Sequence, residues 1–300
     1  MDNRRKATWY NCGSDIRNAT NLKEALDMAN LNYNVVKEPV FLADGFVVPN
    51  QFCTKKEGTH DIFGIVGKEY TIVQNAQAFD FVDSLIPEGM VFERAGETNG
   101  CNWIIASLPE QYILGDKMVP YVVFQNSHTG GIPVRASISP LRMTCSNQFT
   151  VAWKQADAKV SIRHTSSVID RLEAAHDVLA MAANNMNALN KNAEALAISK
   201  VSDSDVKKIL ELAFPINDVT DTNRKMNSMN NERIRFLNAY NEEDLANFKG
   251  TKWGLLNAYS DYITHAPAKR KTENYDMNRF MYITMNTSVM QRFIDILEMV

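Results

Sequence analysis

No two of the four cysteines, Cys12, Cys53, Cys101 and Cys145, stand close enough to form a CxxC pair, and the five histidines are scattered. That leaves no zinc signature and points to free thiols in a reducing compartment. Nowhere do about 18 apolar residues run together, so no membrane-spanning helix is expected. The first residues, MDNRRKATWYNCGSD, are charged and carry no apolar run, which argues against a signal peptide and for a cytoplasmic protein. A phosphate loop GxxxxGK(S/T), a dinucleotide GxGxxG after a strand, a GxSxG elbow, an HExxH helix and an EF-hand loop are all missing. No cofactor or metal is expected on that ground, and an enzyme has little local support. A net charge of -3 removes any global attraction to nucleic acid. Such binding needs a local basic surface, or a groove made where several copies meet.

What is present is ordinary globular material, 45% hydrophobic and 22% charged over 300 residues. That is enough for one large domain, or for a core domain with a smaller companion. The chain is organised around residues 119–151, VPYVVFQNSHTGGIPVRASISPLRMTCSNQFTV. Tyr121 to Phe124 read as a buried strand. A polar turn, Gln125 to Gly131, follows, and its two glycines accept left-handed backbone angles. Val134, Ala136 and Ile138 then alternate with Arg135, Ser137 and Ser139 as a second strand. The tip from Asn126 to Gly131 offers amide, hydroxyl, imidazole and bare N–H groups to a ligand. The alternative is a solvated turn.

Around this hairpin the pattern predicts an α+β protein. A short helix is expected over 21–30, and extended segments over 33–36, 41–49 and 51–54 with a turn at Asp44-Gly45. A strand follows over 61–70, then a helix capped by Asn75, then a strand pair over 91–97 and 102–108. From Thr165 the period becomes helical, and Val168, Leu172, Leu179, Met186 and Leu189 share one side up to about Ser199. Such a helix is about 30 residues and about 45 Å long, so it must cross the sheet, project from it or pack on another subunit. A capped helix over 202–214 precedes a polar, asparagine-rich connector over 217–231, and helices are expected again over 233–237, 251–264 and 281–300. The expected fold is an antiparallel β-sheet with a long helix after the central hairpin, followed by a helical C-terminal region. The expected division is an α+β core at 1–200 and a helical part at 201–300.

Charge is uneven along the chain. Arg135, Arg142, Lys154, Lys159, Arg163, His164 and Arg171 form a positive tract interrupted only by Asp157 and Asp170, with Phe149 and Trp153 inside it. Strands carrying cations and aromatics suit a surface that follows a phosphate backbone and stacks bases. The alternative is solvated charge on alternate strand faces, with Phe149 and Trp153 in the core. His128 reads either as a base or phosphate contact or as a polar turn residue.

Four separated blocks carry a resemblance: EYTIVQNAQAFDFVDSLI; the strand pair at Gly96 and Gly100 with Trp103; FQNSHTGGIPVRASISPLRMTCSNQF; and GTKWGLLNAYSDYITH. Their order resembles phage- and plasmid-borne proteins grouped as domain of unknown function 932, over roughly residues 30 to 265. The family often has NSHDGS where this chain has Asn126-Ser127-His128-Thr129-Gly130-Gly131, so the acid has no counterpart at Thr129. The resemblance implies a mobile-element setting, in which recombination, repair and antirestriction functions are common. With the sheet, the long helix and the basic tract, it is similar more remotely to phage single-strand annealing proteins, which form rings or filaments around a shared positive groove.

The expectation is therefore a non-enzymatic, homo-oligomeric protein that binds single-stranded DNA and promotes annealing or recombination. Arg135, Arg142, Lys154, Lys159 and Arg163 are the expected phosphate contacts, Phe149 or Trp153 the stacking residues, and Asn126 and His128 the tip beside the backbone. The rivals are a protein-binding module acting on a host defence or replication protein, and an enzyme built around His128.

Overall fold

The computed structural model describes residues 9–10, 12–98, 100–142, 147–148, 159–168, 178–265, 272–286 and 288–300. Within them the chain is α+β. The strands are β1 (Ser14–Asp15), β2 (Val35–Phe41), β3 (Val47–Lys56), β4 (Ile62–Gly67), β5 (Val91–Thr98), β6 (Cys101–Ser107), β7 (Gln111–Ile113), β8 (Asp116–Ser127), β9 (Val134–Arg142), β10 (Asn147–Gln148) and β11 (Lys159–Ile162). Eight form an antiparallel main sheet in the order β1-β5-β6-β8-β9-β10, with β7 on β8 and β11 on β9; β2, β3 and β4 form a separate antiparallel sheet.

The central strand β8 explains the unbroken apolar run. Both faces of the sheet are covered there, so every residue from Met118 to Ser127 is buried and no polar alternation is required. One face, carrying Ile104, Val122, Phe124 and Ile138, packs against Phe79, Val82 and helix α1 (Leu22–Met28). The other face, carrying Trp103, Ile105, Tyr121 and Val123, packs against Trp9, Met277 and Phe280.

The helices after α1 are α2 (Asn75–Ala78), α3 (Val178–Ile198), α4 (Asp203–Ala213), α5 (Asn223–Tyr240), α6 (Lys252–His265), α7 (Tyr275–Met285) and α8 (Ser288–Met299). Among the described residues, none is long and apolar enough to cross a membrane. The expected long helix is seen as α3; residues 169–177 lie outside the described residues. Its Met181 and Ala182 belong to the core under the sheet, while Met186, Leu189 and Ala193 belong to a second core with the later helices. α3, which precedes the boundary expected at residue 200, thus contributes to both cores. At the centre of the C-terminal helices lies α6, buried on nearly every side from Trp253 to Thr264, as a helix enclosed by others must be.

Three local expectations are corrected. The asparagine-rich connector is helical from Asn223 onward: Thr222 caps α5 by accepting from Lys225 N. Met226, Met229, Arg233, Phe236 and Tyr240 recur at three and four residues on its inner side, leaving most of its asparagines exposed. The last helix is two, α7 and α8, since the backbone leaves the helical region at Asn286 (φ -121°, ψ 80°). The cap of α2 is Gln74 rather than Asn75. The Gln74 amide pairs with β2, accepting from Val35 N at 2.8 Å and donating to Val35 O at 2.9 Å, which leaves Asn75 to turn inward.

Candidate functional site

The end of β8 and His128 just after it are interior, which overturns the reading of Asn126 and His128 as a surface tip, while Gly130 and Gly131 stay exposed. Asn126, Ser127 and His128 have no solvent exposure. The small sheet closes over them: Thr54 Oγ1 donates to His128 O at 2.5 Å, and Tyr70 OH donates to Ser127 O at 2.9 Å. Gly64 on β4 is needed for that approach, because a Cβ there would lie 2.7 Å from Thr129 O. The Phe63 ring lies 5.4 Å from the His128 ring.

Beneath this lid is a polar network centred on Asn75. Its Oδ1 accepts from Asn102 Nδ2 at 2.9 Å and from Asn126 Nδ2 at 3.1 Å, and lies 3.3 Å from His128 Nε2. Its own Nδ2 donates to Leu31 O at 2.9 Å, and Tyr33 OH donates to Asn102 Oδ1 at 3.1 Å. The carbonyl oxygen can only accept, so the His128 proton sits on Nε2. His128 Nδ1 and Asn126 Oδ1 are buried without hydrogen-bond partners among the described residues. Burial first, and the neighbouring His164 second, push the His128 pKa down to about 4, so it is neutral at physiological pH. A fully buried neutral imidazole offers no contact to a phosphate or a substrate. Asn126 and His128 thus leave the set of surface ligand residues; together with Asn75 they fix where the turn sits.

An accessible cleft lies next to His128. About 590 Å³ in volume, it is bounded by Gly130 and Gly131, by Arg135 on β9, and by Ser161 and Arg163 along and after β11. Register brings these together, for Ser161 is the Cα partner of Arg135, so the two arginines occupy neighbouring diagonal positions. Arg135 is half-buried and Arg163 exposed. Neither guanidinium has an ion-pair partner among the described residues, and no lining residue is acidic. One wall is a ring pair, Tyr70 stacked on His164 at 5.0 Å and 20°. His164 Nδ1 lies 3.2 Å from Thr71 O, to which it donates, and burial lowers the His164 pKa. The cleft's positive charge therefore comes from Arg135 and Arg163.

Lys159 is exposed on β11, with its ammonium 3.5 Å from Met285 O at the end of α7, where a cation meets a helix C-terminus. The backbone of Arg142 pairs with Met118 and Asn147. Its side chain, and all of Phe149, Trp153 and Lys154, lie outside the described residues. Tyr70, Asn75 and Asn102 are the residues that sequence reasoning missed at this site. Asn102 had a signal, being polar at an inward position of an apolar strand; Tyr70 had none. Among the described residues, no group of three His, Cys, Asp or Glu side chains is placed to hold a metal ion.

An antiparallel sheet with a buried polar turn, a cationic cleft beside it and a helical C-terminal half defines the class of protein. The chain belongs to the family described as Domain of unknown function (DUF932), whose model matches residues 62–283. That span runs from β4 into α7 and contains the buried turn and the whole cleft. No curated protein and no solved structure matches the chain.

Proposed function

We propose that this protein binds single-stranded DNA without catalysing a reaction, and promotes annealing or recombination for a phage or related mobile element. The observation that carries the reading is the pair of guanidiniums, Arg135 and Arg163, with no ion-pair partner among the described residues, in a cleft whose described lining holds no acidic residue. Like charges held side by side are unfavourable alone and favourable around a phosphate. The burial of His128 supports a binding role over catalysis, since the most base-like side chain of the turn is out of a substrate's reach. Arg142 and Lys154 extend the basic tract in sequence. Copies assembled side by side would align their clefts into one groove, which reconciles a net negative chain with a polyanionic ligand.

Oligonucleotide binding measured across salt concentrations tests this. Affinity should fall steeply with salt, and Arg135→Ala with Arg163→Ala should flatten the log–log slope by about 1.4, at about 0.7 per phosphate contact. No complex at micromolar protein in low salt refutes the reading. A second reading, a protein-binding module for a host defence or replication protein, is favoured by one feature. The β2–β3 hairpin exposes Phe41, Leu42 and Phe46 by more than half, an apolar tip of the kind that marks contact surfaces. It is tested by replacing Phe41 and Phe46 with Ser and measuring capture of a stoichiometric protein partner.

A further inference from the structure

We infer that the Arg135–Arg163 cleft is a strand-end site: it takes the terminal phosphomonoester of a single strand, with its nucleotide, in preference to an internal phosphodiester. This rests on the nucleic-acid reading of the same cleft and adds which part of the strand occupies it.

Three observations carry the assignment. The first is size. A groove that tracks a single strand accommodates about 4–16 nucleotides, whereas about 590 Å³ lies within the range of about 300–1,000 Å³ typical of pockets for one small ligand. The second is charge. Two guanidiniums, Arg135 on β9 and Arg163 just after the adjacent antiparallel β11, face one compact space with no carboxylate among its described lining residues to offset them. An internal diester brings one negative charge, and a terminal monoester close to two at neutral pH. The monoester therefore balances the cleft where the diester leaves one cation unmatched. Its additional anionic oxygen also accepts hydrogen bonds from hydroxyls, and Ser161 and Thr165 border the same space. The third is the wall. The half-buried Tyr70 ring, backed by the His164 ring at 5.0 Å and tied through its hydroxyl to Ser127 O, gives a fixed aromatic surface for the terminal base. Because the buried turn holds Tyr70, the network around Asn75 keeps this wall in register with the two arginines.

The test is fluorescence anisotropy with one 20-nucleotide sequence in three forms, 5′-phosphorylated, 3′-phosphorylated and hydroxyl at both ends, at constant ionic strength. One phosphorylated form should bind at least about tenfold more tightly than the hydroxyl form, and which one identifies the end. Lowering the pH from 7.5 to 5 should shrink that preference, because the monoester's second ionisation lies near pH 6. Arg163→Met, at an exposed position, should abolish the preference, and Arg135→Gln should do the same, each with an unchanged circular dichroism spectrum. Equal binding of all three forms overturns the strand-end assignment and leaves the nucleic-acid reading standing. Failure of all three to bind overturns that reading, and this assignment with it. Free dAMP binding as tightly as the phosphorylated strand also overturns the assignment, because the cleft is then a mononucleotide site.

Discussion

Acid should destabilise this protein through His128, and by an amount the structure sets. The imidazole is fully buried, donates from Nε2 to Asn75 Oδ1 at 3.3 Å, and has its pKa pushed by burial from 6.5 to about 4. As the pH falls, the unfolded chain takes up this proton first. The stability that neutral His128 contributes is thus complete above pH 6.5 and is lost between pH 6.5 and pH 4. The loss works out at about 2 kcal/mol by pH 5 and about 3 kcal/mol by pH 4. His164, also depressed by burial, adds to the loss with the same sign. The perturbation that isolates His128 is His128→Gln, whose amide can still donate to Asn75 but does not titrate. Urea unfolding of both proteins at pH 7, 6, 5 and 4 gives the measurement, since the carboxylates titrate in both and cancel in the difference. The variant should be the less stable at pH 7, by about 1–3 kcal/mol for imperfect replacement of a packed, bonded ring. That deficit should shrink by about 3 kcal/mol on reaching pH 4. Two stability curves that stay parallel would mean that native His128 is solvated or already charged, and the buried turn would then be wrong.

Leu189 on α3 has no solvent exposure and joins that helix to the C-terminal core, so Leu189→Ala should cost about 2–5 kcal/mol in urea; an unchanged midpoint would contradict the shared core. Gly64→Ala places a Cβ 2.7 Å from Thr129 O and 2.9 Å from Thr129 Cα, and backbone cannot yield as a flexible side chain does. It should cost about 1–3 kcal/mol and speed hydrogen exchange at Ser127 to Thr129; faster exchange elsewhere alone would show that the small sheet does not hold the turn.

Local patterns determined much of the architecture because they reflect forces between near neighbours. The β-branched run at Tyr121 to Phe124, the Asp44-Gly45 turn with Gly45 at φ 86°, and the capped helix after Ser202 are each written within a few residues. Where a residue's fate depended on what covers it, local pattern was insufficient. Asn126-Ser127-His128 has the composition of a solvated turn, and only the arrival of β4, with Gly64 against Thr129, makes it interior. Asn75 had the type and place of a helix cap, yet it was drawn inward because Gln74, already paired with β2, took the cap. The asparagine-rich stretch looked polar enough to be a connector; its inner side at Met229, Arg233 and Phe236 acquires a purpose only when Arg233 reaches Phe214 O at 2.8 Å. The cleft likewise needed tertiary structure. Arg135 and Arg163 stand far apart along the chain, and the β9–β11 register puts them on one space while Tyr70, from a different part of the chain, supplies its wall. Burial and strand register are properties of the assembled molecule, because each is set by residues distant in sequence, whereas charge, turn chemistry and apolar period belong to the residues themselves.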